Sequence, residues 1–216
     1  GIQGYELEQN EQPDSNLVFL LDVSGSMNAP DKLPLVKQSI KLLLKTLKPT
    51  DTISIVVYAG AAGTVLEPTK VAQAAKIIEA LDKLKAGGST AGGEGLQLAY
   101  QLAEANFDEQ AVNRIMLATD GDFNVGLSDP EQLTDFVERK RQSGIYLSVI
   151  GFGRGNYKDA LMQSLAQNGN GIAAYIDTLA EAQKLFVEEA TSSLFPIAKD
   201  LKIQVEFNPA VVNEYR

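Results

Sequence analysis

The segment Asp22-Val23-Ser24-Gly25-Ser26 offers one carboxylate and two hydroxyls at alternate positions. Run as an extended segment, it points all three oxygens to one side, and Gly25 permits a sharp turn behind them. Two other segments carry oxygen groups in comparable settings. Thr90 lies within Gly87-Gly88-Ser89-Thr90-Ala91-Gly92-Gly93, and Asp120 within Thr119-Asp120-Gly121-Asp122. All three offer hard oxygen groups only. Each also has a plain structural reading: Asp and Ser cap helix starts, a threonine among glycines is a loop residue, and Asp before Gly is a turn. Asp122 reads as a turn residue. Phe123 and Asn124 stand behind it, where they could touch a partner, although a buried Phe is the commoner outcome.

The chain has no histidine and no cysteine. Imidazole acid–base chemistry, Ser-His-Asp and Cys-His nucleophiles, and thiolate or imidazole zinc sites are therefore excluded. A net charge of −9, from 28 acidic and 19 basic residues, repels a phosphate backbone and argues against nucleic acid as a partner. The same charge attracts cations.

The elements around these loops alternate. Short apolar runs at Leu17–Leu21, Ile53–Tyr58, Ile115–Ala118 and Ile145–Ile150 read as buried parallel strands, with Ala173–Ile176 a weaker one at the far side. Thr64–Leu66 reads as a short edge strand after a tight Gly60–Gly63 turn. Leu33, Val36, Ile40, Leu43, Leu44 and Leu47 form one stripe of a first helix, with Pro34 tolerated in its opening turn. Lys37, Lys41, Lys45 and Lys48 lie on the other side and read as a solvated face. Further amphipathic helices are expected at Val71–Leu84, Glu94–Ala105, Pro130–Arg141, Lys158–Ala166 and Leu179–Leu194. The fold expected is α/β: a doubly wound, mostly parallel central sheet with helices on both faces. Asp22 and Asp120 both follow apolar strands, so their loops fall at the carboxyl end of the sheet, where open α/β folds place ligands.

Asp22-x-Ser24-x-Ser26, Thr90 and the strand-ending Asp120, in this order and context, resemble the metal-ion-dependent adhesion site of von Willebrand factor A domains. The resemblance covers residues about 16 to 195. More narrowly, residues 58–63, 88–93 and 118–126 look like bacterial envelope-associated members grouped with calcium-activated chloride channel-like proteins, although no pore-forming segment supports a channel activity. The resemblance implies that Ser24 and Ser26 bind a divalent cation directly, Thr90 directly or through water, and Asp22 and Asp120 directly or by holding water. Oxygen-only ligation fits Mg²⁺ first, with Mn²⁺ or Ca²⁺ as alternatives. Two carboxylates at most offset the +2 charge, so an open position favours a Glu or Asp side chain from a partner protein. The resemblance thus implies an interaction module and not an enzyme. It also implies a switch in which movement of the last helix accompanies ligand binding.

Three other readings compete. Gly151-Phe152-Gly153-Arg154-Gly155, with Asp177 after the next strand, approximates a dinucleotide fingerprint, but Asn156 replaces its third glycine. A metal-dependent phosphatase or hydrolase would use Asp22 as nucleophile, yet a Ser stands where a second Asp is usual. A closed, purely structural cation site is the third.

At 216 residues, 44% hydrophobic and 22% charged, the chain suits one large soluble domain, and its longest strongly apolar stretch is too short to span a bilayer. No membrane insertion is expected. Residues 1–15 and 196–216 stand outside the alternation as flanks of a truncated β-rich region, and Gly1–Leu7 is expected to pair with Leu201–Phe207. The start at Gly1 suggests an excised piece, and the resemblance suggests a bacterial parent that is exported or envelope-anchored.

Overall fold

A computed structural model describes residues 12–88, 92–121, 130–153 and 159–188. Six strands form one sheet: β1 (Ser15–Asp22), β2 (Thr52–Tyr58), β3 (Ala62–Lys70), β4 (Val112–Thr119), β5 (Ile145–Phe152) and β6 (Ala173–Ile176). Their order is β3-β2-β1-β4-β5-β6, with β3 antiparallel to β2 and every other pairing parallel. Every residue of β1, β4 and β5 is buried, as expected of strands covered on both faces.

The helices are α1 (Leu33–Leu43), α2 (Ala74–Lys83), α3 (Gly92–Ala105), α4 (Pro130–Gln142), α5 (Asp159–Asn168) and α6 (Leu179–Gln183), the last continuing as a π-helical turn over Lys184–Glu188. Strand side chains alternate between faces, so the core divides in two. Leu17, Phe19, Leu21, Ile53, Ile55 and Met116 pack with α1, α2 and α6 on one face. Val18, Leu20, Val56, Ile115, Leu117 and Val149 pack with α3, α4 and α5 on the other. This is the doubly wound, mostly parallel sheet expected.

Several boundaries differ. The edge strand β3 is nine residues long and not three, carries an irregular register against β2, and tolerates Pro68 because an edge strand has one unpaired side. The first helix ends at Leu43, and the following turn is closed by the bonds from Lys45 N to Leu42 O and Thr46 N to Leu43 O. Residues 71–73 form a 3-10 turn before α2 begins. The lysine row is not simply solvated. Lys37 Nζ donates to Leu84 O at 2.6 Å, Lys41 pairs with Asp82 at 2.7 Å and Lys48 pairs with Asp14 at 2.6 Å. Packing of α1 against α2 brought a carbonyl and a carboxylate within reach of Lys37 and Lys41, and the segment before β1 did so for Lys48, which a helical repeat alone does not reveal. The pairing expected between residues 1–7 and 201–207 lies outside the described residues.

Candidate metal centre

The chain runs outward from β1 through α1 to β2 and β3, then returns through α2 and α3 to β4 on the other side of β1. The topology therefore reverses between β1 and β4, and the carboxyl ends of these strands mark the place where open α/β sheets bind ligands. Asp22 ends β1, and Asp120 follows Thr119, the last residue of β4.

Asp22 is fully buried. Its register partner on β2 is Tyr58, and Leu21 pairs with Ala118 on β4, so Tyr58, Asp22 and Thr119 form a row across three adjacent strands. Asp22 Oδ1 accepts a 2.8 Å bond from Ser24 N, and the Thr119 hydroxyl makes a long 3.5 Å contact to Oδ2. Burial raises the Asp22 pKa; the interactions with Ser24 and with the Tyr58 hydroxyl oppose that shift, and the charge of Asp120 adds to it. Burial, followed by the charge of Asp22, pushes the Tyr58 phenol well above its ordinary range. Tyr58 thus stays neutral beside Asp22.

Ser24 is extended at φ −62° and ψ 167°, and Gly25–Asn28 then closes a 3-10 turn. The three oxygens are therefore not aligned by a continuous extended segment, as the alternating pattern suggested. The turn folds Ser26 back until its Oγ lies 3.1 Å from Ser24 Oγ. Ser24 stands at the cap position of this turn but its side chain makes no capping bond, so helix capping does not account for its hydroxyl. Ser24 is buried and Ser26 exposed.

Asp120 departs toward the α1 side, where its Oδ2 accepts a 2.8 Å bond from Lys32 Nζ. Gly121 follows at φ +98°, a turn conformation suited to glycine, and its N–H bonds to Thr119 Oγ1 at 3.2 Å.

The glycine-rich loop is stitched to the first loop by its backbone. Gly87 N donates to Val23 O at 2.8 Å, and Gly25 N donates to Gly88 O at 3.1 Å. Thr90, Asp122, Phe123 and Asn124 lie outside the described residues. Beyond them, α3 approaches Tyr58 closely at Gly95, where a Cβ would stand 2.8 Å from Tyr58 Cβ and 3.1 Å from Leu20 Cδ1.

The structure thus brings Asp22, Ser24, Ser26 and Asp120 to the ends of β1 and β4. Sequence reasoning missed Tyr58, Thr119, Lys32 and Gly95. Tyr58 and Thr119 carried a signal, a polar hydroxyl at the end of an apolar run; Lys32 and Gly95 carried none. Among the described residues no group of three or more His, Cys, Asp or Glu gathers to hold a metal, so any cation here depends on the hydroxyls. Their spacing fits. Two cis ligands at the roughly 2.05 Å distance of Mg²⁺–O stand about 2.9 Å apart in an octahedron, close to the 3.1 Å between the serine oxygens.

Of the dinucleotide-like segment, Gly153 has a different explanation. It adopts φ +84°, and a Cβ there would meet the stem of Lys32 at 2.6 Å. Asp177 N–H is bonded by Glu181 Oε2 at the start of α6, where Thr178 caps Glu181 N. A polar cleft of about 500 Å³ among Asp14, Asn16, Lys70, Asn106 and Asp108 opens at the amino end of the sheet, opposite this centre.

Residues 16–188 match the family model of the von Willebrand factor type A domain. The chain belongs to that family. A second model, "Uncharacterized protein YfbK, C-terminal", matches residues 192–216. The domain and its flanks are 50% identical over 215 residues to protein YfbK of Escherichia coli K12, covering 100% of this chain and 37% of that protein. The chain therefore spans little more than a third of that relative. Among solved structures, a von Willebrand factor type A protein from Catenulispora acidiphila superimposes with a TM-score of 0.70 at 22% identity, over 84% of this chain and 43% of that one. An aerotolerance-related membrane protein from Bacteroides fragilis reaches 0.62 at 26% identity, over 82% and 99%. Proximal thread matrix protein 1 from the mussel byssus, solved with a zinc-occupied MIDAS motif, reaches 0.62 at 22% identity, over 84% and 46%. Von Willebrand factor type A domains are often metal-dependent protein-interaction modules.

Proposed function

We propose that this domain binds a protein partner through a divalent cation held by Asp22, Ser24, Ser26, Thr90 and Asp120, with one coordination position left for a Glu or Asp side chain of the partner. The observation that carries the reading is the pair of serine hydroxyls 3.1 Å apart, that of Ser24 unspent on helix capping, in the loop that follows the buried Asp22 at the topological switch point. Ser24 and Ser26 would ligate directly. Both Asp22 oxygens already face protein donors, which suits a carboxylate that holds a water on the cation. Mg²⁺ is the first choice, with Mn²⁺ or Ca²⁺ as alternatives. The zinc-occupied motif of the mussel protein supports a divalent ion at this place in the fold.

The site would act by charge and geometry, without turnover. With neither histidine nor cysteine in the chain, no imidazole or thiolate stands ready to activate water or attack an ester. The likeness to YfbK and to the Bacteroides membrane protein supports a bacterial parent associated with the cell envelope, and the loop resemblance noted above favours the chloride channel-like group. Among the described residues no helix is long and apolar enough to cross a membrane. Of the flanks expected at residues 1–15 and 196–216, Asp14 and Ser15 are bound into the domain by Lys48 and Asp51, and the rest would belong to a separate flanking unit; the last helix, expected over Leu179–Leu194, would be the element that moves when a partner binds.

Calorimetric titration of metal-stripped protein with Mg²⁺, Mn²⁺ and Ca²⁺, repeated on Asp120→Ala and Ser26→Ala, tests the reading. One-to-one binding weakened by both substitutions supports it. Wild-type protein that binds none of the three ions overturns it.

A further inference from the structure

Lys32 precedes α1 and is not part of the lysine row that begins at Lys37. Its stem crosses Gly153, where even a methyl group would stand 2.6 Å from Lys32 Cγ and 2.9 Å from Cε. Its ammonium reaches Asp120 Oδ2 at 2.8 Å. The Asp120 side chain is 2% exposed and that of Lys32 19%, so the positive charge is delivered from the solvent edge to a carboxylate inside the protein.

We propose that Lys32 is a tethered cation that competes with the divalent metal for Asp120 and thereby sets how tightly the centre holds its metal. The proposal rests on the metal reading above and deepens it. A buried carboxylate is costly unless it is paired. Lys32 meets that requirement when no metal is bound, keeping the switch-point loops in place. An incoming divalent ion must then either displace the ammonium from Oδ2 or accept a like charge beside it, and both lower metal affinity. The glycine at 153 gives the stem its path, which ties the charge to one approach direction and keeps it on the carboxylate.

Removing the charge should therefore tighten metal binding. Lys32→Met keeps the aliphatic stem over Gly153, Lys32→Gln keeps a neutral donor, and Lys32→Arg keeps the charge. The full chain is stripped with chelator and titrated with Mg²⁺ and Mn²⁺, and each variant is also melted with and without metal. Lys32→Met and Lys32→Gln are expected to bind about tenfold tighter than wild type, the size of effect that loss of one charged contact produces. Lys32→Arg should stay within about threefold of wild type. In chelator the neutral variants should melt below wild type, and added metal should raise their melting temperature more than it raises that of wild type. Wild-type binding with unchanged or weaker binding in the neutral variants overturns this inference alone, and the metal reading stands. Absence of binding in wild type and in every variant removes the metal reading and this inference with it.

Discussion

Tyr58 and Asp22 are register partners at the carboxyl ends of β2 and β1, side by side on one face of the sheet. The tyrosine is fully buried, and its hydroxyl interacts with a carboxylate whose pKa burial has raised. Tyr58→Phe deletes that interaction and keeps the ring. Metal-stripped protein is expected to lose no more than about 1 kcal/mol of stability, because the contact of this hydroxyl with the carboxylate falls short of hydrogen-bond geometry. The Asp22 pKa should rise further, so metal binding at mildly acid pH should weaken more than at neutral pH. Calorimetry at two pH values checks this.

Asp22 also gives the metal-free protein a pH dependence of defined sign. Its native pKa lies above the ordinary 3.8 because burial disfavours the charged form. The native state therefore holds this proton more tightly than the unfolded chain. The favourable contribution is present at acid pH and is lost as pH rises through 3.8 and on through the raised native value. Asp22→Asn, which cannot ionise, should be at least as stable as wild type at neutral pH in chelator, while losing metal binding. Melting curves from about pH 4 to about pH 7 test it; a variant that melts well below wild type at neutral pH would contradict it.

Ser26 is exposed and Ser24 is buried. Ser26→Ala should therefore change metal-free stability by no more than about 0.5 kcal/mol, yet remove most of the rise in melting temperature that Mg²⁺ gives to wild type. A thermal scan with and without Mg²⁺ separates ligation from folding.

Gly95 has no room for a side chain, since a Cβ would press to 2.8 Å of Tyr58 Cβ. Gly95→Ala is expected to cost about 1–3 kcal/mol by overpacking, although alanine is the better helix former. Because α3 then shifts off Tyr58, metal affinity should fall as well. Denaturant unfolding and metal titration of the same variant measure the two effects.

Far from the centre, Asp51 ties the start of the sheet together. It is 1% exposed, and its two oxygens accept Ser15 N at 2.7 Å and Lys48 N at 2.6 Å. Asp51→Ala strands both N–H groups and should cost about 2–4 kcal/mol, with metal affinity unchanged. Chemical denaturation beside a metal titration shows whether the two ends of the sheet are independent.

Much of the fold was legible because its signals are local. A run such as Leu17–Leu21 can be buried on both faces only in a central strand, and the Leu33–Leu44 stripe repeats at helical spacing. Strand ends could therefore be located, and with them the oxygen groups of Asp22, Ser24, Ser26 and Asp120. Strand order and helix packing are long-range, and they decided the rest. Because β4 lies beside β1, Thr119 stands next to Asp22 although 97 residues separate them. Because strand side chains alternate, Asp120 leaves toward α1 and meets Lys32, 88 residues away. The 3-10 turn, and not an extended run, set the two serine hydroxyls together. A linear pattern records which groups each strand end carries. Which groups share a point in space is fixed by the order in which strands pair and by the closeness of helix to sheet, and neither is written in local spacing.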